Sequence, residues 1–496
     1  MKRVLKKKFR YFLQESKMNS TDIEDQKSPG YGTKEDSVSS HSSSSGEQRS
    51  GEASFGPQLL AAGAATLGAL ALGAAIGWSS PASPQLAEPP LSLSSSDISL
   101  IGSIINIGAL IGAVGGGIVI NKIGRKATAI YVSPIFALGF LLVGFGNNVP
   151  MILAGRLLCG LGGGTTSVAA PVYVGEIATS NRRGLLGSGF QLMVVTGILL
   201  GYFVGAFVTW WWLSIISGFI PLMFMIAMMF VPESPVYLIS KNDENGAKKA
   251  LQWLRGAHYG IGTELEEIKH SIAEQNARSI TFRDLFESSV LKPFLICVAL
   301  MFFQQFSGIN AALFNLNIIF SASGGDMDSN TQSCIVGIVQ VAATVVSSVL
   351  VDRAGRKILL ISSAFVMAVC LVALGVFFYF QENDPALAAN LGWLPLVSLI
   401  IYIIFFSFGF GPLPWALMGE LLPGHVKGLA SSLVSGFNWG LAFIITLVFD
   451  MLVSAIQMYG VFWLFAGFTV LAGFFVLFLV PETKGKSLDE IQRLFS

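Results

Sequence analysis

Charge is the scarce commodity in this sequence. Of 496 residues only 12% are Asp, Glu, Lys or Arg, about half the share usual in soluble chains. So little charge over so long a chain argues against a water-soluble enzyme. Lys+Arg 31 nearly cancel Asp+Glu 30, which removes the basic surcharge that nucleic-acid binding calls for. Cysteine is rare too. Cys159, Cys297, Cys334 and Cys370 are scattered through apolar runs without metal-ligand spacing, and read as core packing. The four histidines (His41, His258, His270 and His425) fall outside apolar runs of membrane length or near their ends. With no nucleophile beside a base, no metal cluster and no phosphate loop, neither enzyme activity nor a cofactor or metal is expected.

Apolar length is abundant. Eleven runs lack every charged residue: 53–87, 98–121, 127–155, 157–175, 184–232, 293–325, 329–351, 358–381, 385–419, 428–449 and 451–481. An apolar helix crosses the hydrocarbon core in about 20 residues. The 49 residues of 184–232 hold two such helices, with Thr209 to Trp212 as an interfacial turn. Twelve spans result. Continuous apolar runs exclude the alternating pattern of a β-barrel, so the expected fold is an all-α polytopic membrane protein.

Cations set the orientation. Ten of the 31 lie in residues 1–52, three at Lys122, Arg125 and Lys126, two at Arg182 and Arg183, and eight in 233–292. Arg353, Arg356, Lys357, Lys427, Lys484, Lys486 and Arg493 follow. Thirty therefore share the face of both termini, the exception being Arg156, and acids such as Glu88, Asp97, Asp326, Asp328, Glu382 and Asp384 hold the other. The positive-inside rule makes the basic face cytoplasmic. The basic N-terminus lacks the apolar core of a secretory signal, residues 36–54 read as disordered, and the Asn19 sequon lies on the wrong side for glycosylation.

The chain repeats itself. Asn121-Lys-Ile-Gly-Arg-Lys126 returns as Asp352-Arg-Ala-Gly-Arg-Lys357 at an offset of 231, Gly175-Glu176 as Gly419-Glu420 at 244, and Pro232-Glu-Ser as Pro481-Glu-Thr at 249. Each pair falls at one place within a six-helix half. Two parallel halves around a central site are the build of major facilitator transporters. The expected organisation is an N-terminal tail 1–54, a first half 55–232, a linker 233–292 with surface helices near Glu244–Arg255 and Glu264–Arg278, a second half 293–481 and a tail 482–496.

Polar side chains within spans are costly in lipid and mark pathways. Gln191, Gln304, Gln305, Asn310, Asn315, Gln340 and Asn438 are all amides, which donate and accept like a sugar hydroxyl. Gly308 would let the seventh span break. Trp415 and Trp439 can lay an indole face on a sugar ring. At the basic face, Glu176, Glu233, Glu420 and Glu482 end spans while Arg125, Arg183, Asp352, Arg356 and Lys427 flank neighbours. Such groups form a network that locks and releases the halves.

The segments GRK (124–126 and 355–357), Gly155-Arg156, PVYVGEIATSNRRG (171–184), PESPVYL (232–238), QQFSGIN (304–310), GPLPW (411–415), Phe437-Asn438-Trp439 and PETKGKSLDEI (481–491) stand in order along the chain. Over roughly residues 55–490 the chain thereby resembles the sugar porter family of the major facilitator superfamily, and within it the insect facilitated trehalose transporter group. The resemblance implies transport of trehalose or a hexose such as glucose across the plasma membrane by alternating access. It implies substrate contact for Gln191, Gln304, Gln305, Asn310, Trp415 and Asn438, and gating flexibility for Gly411, Pro412 and Pro414. Asn121, Val236 and Lys427 depart from the family's usual Asp, Arg and Arg, which weakens the lock. Proton-coupled relatives carry an Asp in the first span facing the Arg of the fourth, where this chain has Ser79. Uniport is therefore expected rather than proton symport. A sugar sensor would carry longer cytoplasmic tails, and a drug carrier acids in the cavity. Sugar and bilayer are the partners expected, with no nucleic acid and no obligate protein partner.

Overall fold

The computed structural model describes residues 53–276, 282–324, 327–423, 426–486 and 488–495. We number the membrane-crossing helices α1 (Phe55–Gly77), α2 (Ser95–Ile123), α3 (Arg125–Gly144), α4 (Val149–Ile177), α5 (Arg183–Gly205), α6 (Trp210–Met229), α7 (Ser288–Phe306), α8 (Ser329–Ala354), α9 (Arg356–Asn383) and α10 (Leu394–Phe408). The helix Lys427–Leu479 is 53 residues long and turns at Gln457, whose φ of 62° and ψ of 166° are non-helical. It supplies α11 (427–456) and α12 (458–479). Twelve crossings stand, as the apolar runs predict, but the last turn lies at Gln457 instead of at the run boundary Asp450. Asp450 sits half-buried inside α11. The expected disordered tail, residues 1–54, lies outside the described residues except for Ala53 and Ser54.

Local chemistry sets the helix starts. At the acidic face Ser94 Oγ accepts from the main-chain N–H of Asp97, Asn148 Oδ1 from that of Met151 at 3.0 Å, and Asp328 Oδ2 from that of Thr331 at 3.0 Å. These are N-caps that satisfy first-turn donors left over by the helix. At the basic face α3 and α9 begin differently. Gly124 and Gly355 take left-sided φ values of 100° and 93°, and the first N–H groups are met by carboxylates far along the chain.

Packing within the first half depends on close backbone approach. A Cβ on Gly108 of α2 would lie 2.1 Å from Leu157 O, and one on Gly160 of α4 would lie 2.0 Å from Ile105 O. Small residues are the usual means of drawing membrane helices together, since lipid offers no hydrophobic drive. Outward-facing residues such as Ile118, Tyr131, Phe203 and Trp212 remain exposed, forming the lipid-facing coat. The halves meet along α2 against α11 and along α5 against α8.

Between the halves, Glu244–Arg255 is a helix as expected, and a second runs Gly262–Asn276, with Arg278 outside the described residues. Arg255 is 2% exposed. It donates to both carboxylate oxygens of Glu264 and, at 2.7 Å, to Ile177 O at the end of α4. This ties the segment to the first half.

Candidate sugar site and its surroundings

α7 stops at Phe306 and resumes as Ile309–Phe314 and Leu316–Ser323. Gly308 makes the break at φ 83°, where a Cβ would also meet the Phe465 ring at 2.4 Å. α10 is interrupted as well, stopping at Phe408 and resuming at Leu413–Leu421. Two broken helices expose main-chain carbonyls at mid-depth, and the amides gather there.

Asn310 Nδ2 donates to Gln305 Oε1 at 2.7 Å, Gln305 Nε2 to Asn438 Oδ1 at 3.1 Å, and Asn438 Nδ2 to Gln304 Oε1 at 2.8 Å. Gln304 Nε2 then donates to the carbonyls of Phe410 and Gly411 at 2.6 and 3.1 Å. The four amides thus run in one direction from Asn310 in Ile309–Phe314 to Gln305 of α7, across to Asn438 of α11 and back to Gln304 of α7, ending at the break in α10. Gln304, Gln305 and Asn438 are almost fully buried, while Asn310 is half-buried. Sequence spacing alone lets Gln304, Gln305 and Asn310 share a face only in part; Asn438 of another helix is what unites them.

The remaining candidates fall in separate groups. Trp439 follows Asn438 in α11 and is buried with its indole Nε1 unpartnered, and Gln340 of α8 is buried with Oε1 unpartnered. Unmet buried polar atoms suit a ligand that brings hydroxyls. Trp415 is half-buried in the helix that follows the α10 break, and Gln191 is half-buried in α5 with no hydrogen bond among the described residues. Asn315 donates to Ala311 O of the preceding helix at 2.9 Å.

At the basic face two ion pairs lie within the halves, while Lys427 and Arg183 bring like charges near one another across them. Arg125 pairs with Glu176 at 2.6 Å, and Arg356 with Glu420 at 3.2 Å. Glu233 accepts from the main-chain N–H of Arg125 and Lys126 at 3.0 and 3.1 Å, and Glu482 from those of Arg356 and Lys357 at 3.0 and 3.1 Å. The repeated Gly-Arg-Lys and Pro-Glu segments are therefore one device used twice, a trans cap with an adjoining ion pair. Burial opposes the ionised Glu482 carboxylate, but four main-chain donors outweigh it and hold its pKa below the usual range. Lys427 donates to Gly419 O, and Asn121 to Gly117 O of its own helix. Arg183 is exposed, and the side chain of Asp352 lies outside the described residues.

Arg156 has the packing role open to a lone cation near the outer end of a span. It is 1% exposed, donates to Ala75 O and Ser79 Oγ at 2.6 Å each and to Ile101 O at 3.2 Å, and lies 4.7 Å over Trp78. Partners are neutral throughout. Sequence reading also misses Ser80, Asn317, Asn106 and Thr446, which join the two halves. The available signal was the same one that marked Asn315: polar residues inside apolar runs.

A family model described as "Sugar (and other) transporter" matches residues 28–495. The chain belongs to the sugar transporter family. Among relatives of this family, the facilitated trehalose transporter Tret1 of Polypedilum vanderplanki is 41% identical over 441 residues, covering 88% of this chain and 87% of that protein. The Bombyx mori protein of the same name is 40% identical, covering 88% and 86%. Among solved structures, the proton:xylose symporter XylE bound to 6-bromo-6-deoxy-D-glucose superposes with a TM-score of 0.74 at 27% identity, covering 89% of this chain and 99% of that one. The partially occluded inward-open form of XylE from E. coli gives 0.74 at 26%, covering 87% and 99%. This sugar transporter family member therefore has the major facilitator fold, with twelve helices in two halves, and is a multi-pass membrane protein.

Proposed function

We propose that the protein carries trehalose, or a hexose such as glucose, through the plasma membrane by facilitated diffusion, with both termini in the cytoplasm. The amide chain Asn310–Gln305–Asn438–Gln304 carries this reading. It is neutral, buried and placed where two helices break, and its members both donate and accept as a sugar hydroxyl does. Gln191, Asn315, Gln340, Trp415 and Trp439 complete the substrate contacts, the indoles taking the apolar ring face. The likeness to proteins named trehalose transporters supports the substrate class.

Alternating access follows from the architecture. Residues 55–232 and 293–481 move as the two halves, 233–292 connects them, and the capped ion-pair devices keep each half rigid while the site changes sides. Arg125, Glu176, Arg183, Glu233, Asp352, Arg356, Glu420, Lys427 and Glu482 belong to this machinery. Uniport is supported by the neutral surroundings of Arg156, where a proton-coupled carrier needs a titratable partner. Purified protein in liposomes should bring labelled trehalose to equal concentration on both sides. Accumulation driven by an imposed pH gradient would overturn uniport in favour of proton symport, and failure to move any sugar would overturn the reading altogether.

A further inference from the structure

A group of hydrogen bonds between the opposite halves lies toward the acidic face. Tyr202 OH donates to Leu313 O at 2.8 Å, Asn106 Nδ2 to Thr446 Oγ1 at 3.1 Å, and Ser99 Oγ to Leu447 O at 3.3 Å. The most connected is a fourth. Ser80 Oγ accepts from the main-chain N–H of Asn317 at 3.1 Å and donates to Asn317 Oδ1 at 3.2 Å. Asn317 also receives Ser333 Oγ and donates to Asn330 Oδ1. Ser80, Asn317 and Ser333 are 0%, 3% and 1% exposed.

The main-chain bond is unusual in its partner. Leu316–Ser323 begins after a second irregularity at Asn315, with φ −118° and ψ 18°, and Asn317 is the second residue of this helix. Its N–H is one of the first-turn donors that an N-cap side chain normally satisfies. Asn315 occupies the N-cap position and is a residue type well suited to it, yet makes no cap; its side chain is turned back to Ala311 O. The acceptor is instead Ser80 of the other half. Ser80 is held in turn, because its neighbour Ser79 takes a hydrogen bond from the buried Arg156.

We infer that this N–H exchanges caps during the transport cycle: Ser80 caps it when the halves are closed at the acidic face, and Asn315 takes its place when they part. The inference deepens the alternating-access reading by naming a pair of residues that bias it. Without Asn315 the open arrangement would leave a helix N–H unmet beside a widening gap. With both residues the start of the helix is satisfied in either arrangement, and neither arrangement is penalised by an unmet N–H. One cap is worth roughly 1 kcal/mol, which shifts such an equilibrium by about fivefold.

A native reporter stands at the seam. A Cβ on Gly337 of α8 would meet Leu199 and Tyr202 of α5 at 3.0 and 3.2 Å, so that face of α8 is turned to the first half. Cys334 lies three residues before it on the same face, half-buried, whereas Cys159, Cys297 and Cys370 are buried. Purified protein in nanodiscs, without sugar, is treated with a hydrophilic maleimide, and alkylation at Cys334 is followed by peptide mass. Both faces are accessible, so the result is independent of orientation and of substrate. Ser80→Ala should raise the alkylation rate about fivefold and Asn315→Ala should lower it, while Ser80→Thr, which keeps the hydroxyl, should match the parent. An unchanged or slower rate in Ser80→Ala overturns the exchange, as does a faster rate in Asn315→Ala. A rise in Ser80→Thr equal to that in Ser80→Ala also overturns it, by assigning the effect to packing.

Discussion

Gly124 and Glu233 fit so closely that a Cβ on the glycine would stand 2.3 Å from Glu233 Oε2. Gly355 and Glu482 reproduce the relationship at 2.8 Å in the second half. In each case a left-sided glycine clears the space into which a distant carboxylate reaches to cap the next helix. Gly124→Ala and Gly355→Ala should each destabilise the protein by about 1–3 kcal/mol, combining backbone strain with displacement of the cap. Thermal unfolding of the purified variants checks this, and the two should act alike because the devices are equivalent.

Glu482 makes the same device sensitive to acid. Its carboxylate titrates below the ordinary value because four main-chain N–H groups favour the ionised form, despite burial. A lowered pKa contributes stability that is present above the unfolded-state value and is lost as pH falls through the folded-state value. The difference in melting temperature between the parent and Glu482→Gln should therefore be constant from neutral pH down to about 5 and shrink below about 4. A difference that grows on acidification contradicts the assignment.

Gln304 joins three elements, so its loss is felt in three places. Gln304→Ala leaves Asn438 Nδ2 without its 2.8 Å acceptor and removes the donor to Phe410 and Gly411. Each buried group left unmet costs about 1–3 kcal/mol. Sugar uptake should fall at least tenfold, read in liposomes at matched protein content. Unchanged uptake of every transported sugar would show the site to be elsewhere.

Much of this was legible in the sequence because each signal was strong and local. Runs of apolar residues specify spans, cations specify a face, and the repeats specify two halves. The amides of α7 were visible because an apolar run makes any Gln conspicuous. Their union through Asn438 was not visible, since it depends on how α11 crosses the α7 break. The capping role of Glu233 and Glu482 was hidden for a similar reason. A Glu beside Arg and Lys reads as an ion-pair partner, and only the fold shows that Glu233 reaches main-chain N–H groups 107 and 108 residues away, and Glu482 ones 125 and 126 away. Asn317 was passed over beside Asn315 because spacing does not say which of two neighbouring asparagines turns toward the other half.

Ser79 is the residue at which coupling can be engineered. Arg156 is buried and its Nη2 donates to Ser79 Oγ at 2.6 Å. Ser79→Asp would place a carboxylate against this cation, a group whose protonation the guanidinium then governs. Sugar uptake should depend on external pH in the variant below about pH 5, where an aspartate near its ordinary value titrates, and change less there in the parent. Equal pH profiles would show that a carboxylate in place of Ser79 does not influence the cycle.

The one-way order of the amides has a consequence for the cell's energy supply. A proton can hop along a chain only if each member can both take up and release one, and a carboxamide N–H does not ionise near neutral pH. Asn310, Gln305, Asn438 and Gln304 bind one another end to end and finish on two peptide carbonyls, so this chain is a dead end for protons. On the proposed reading, the membrane stays polarised while sugar passes along these amides.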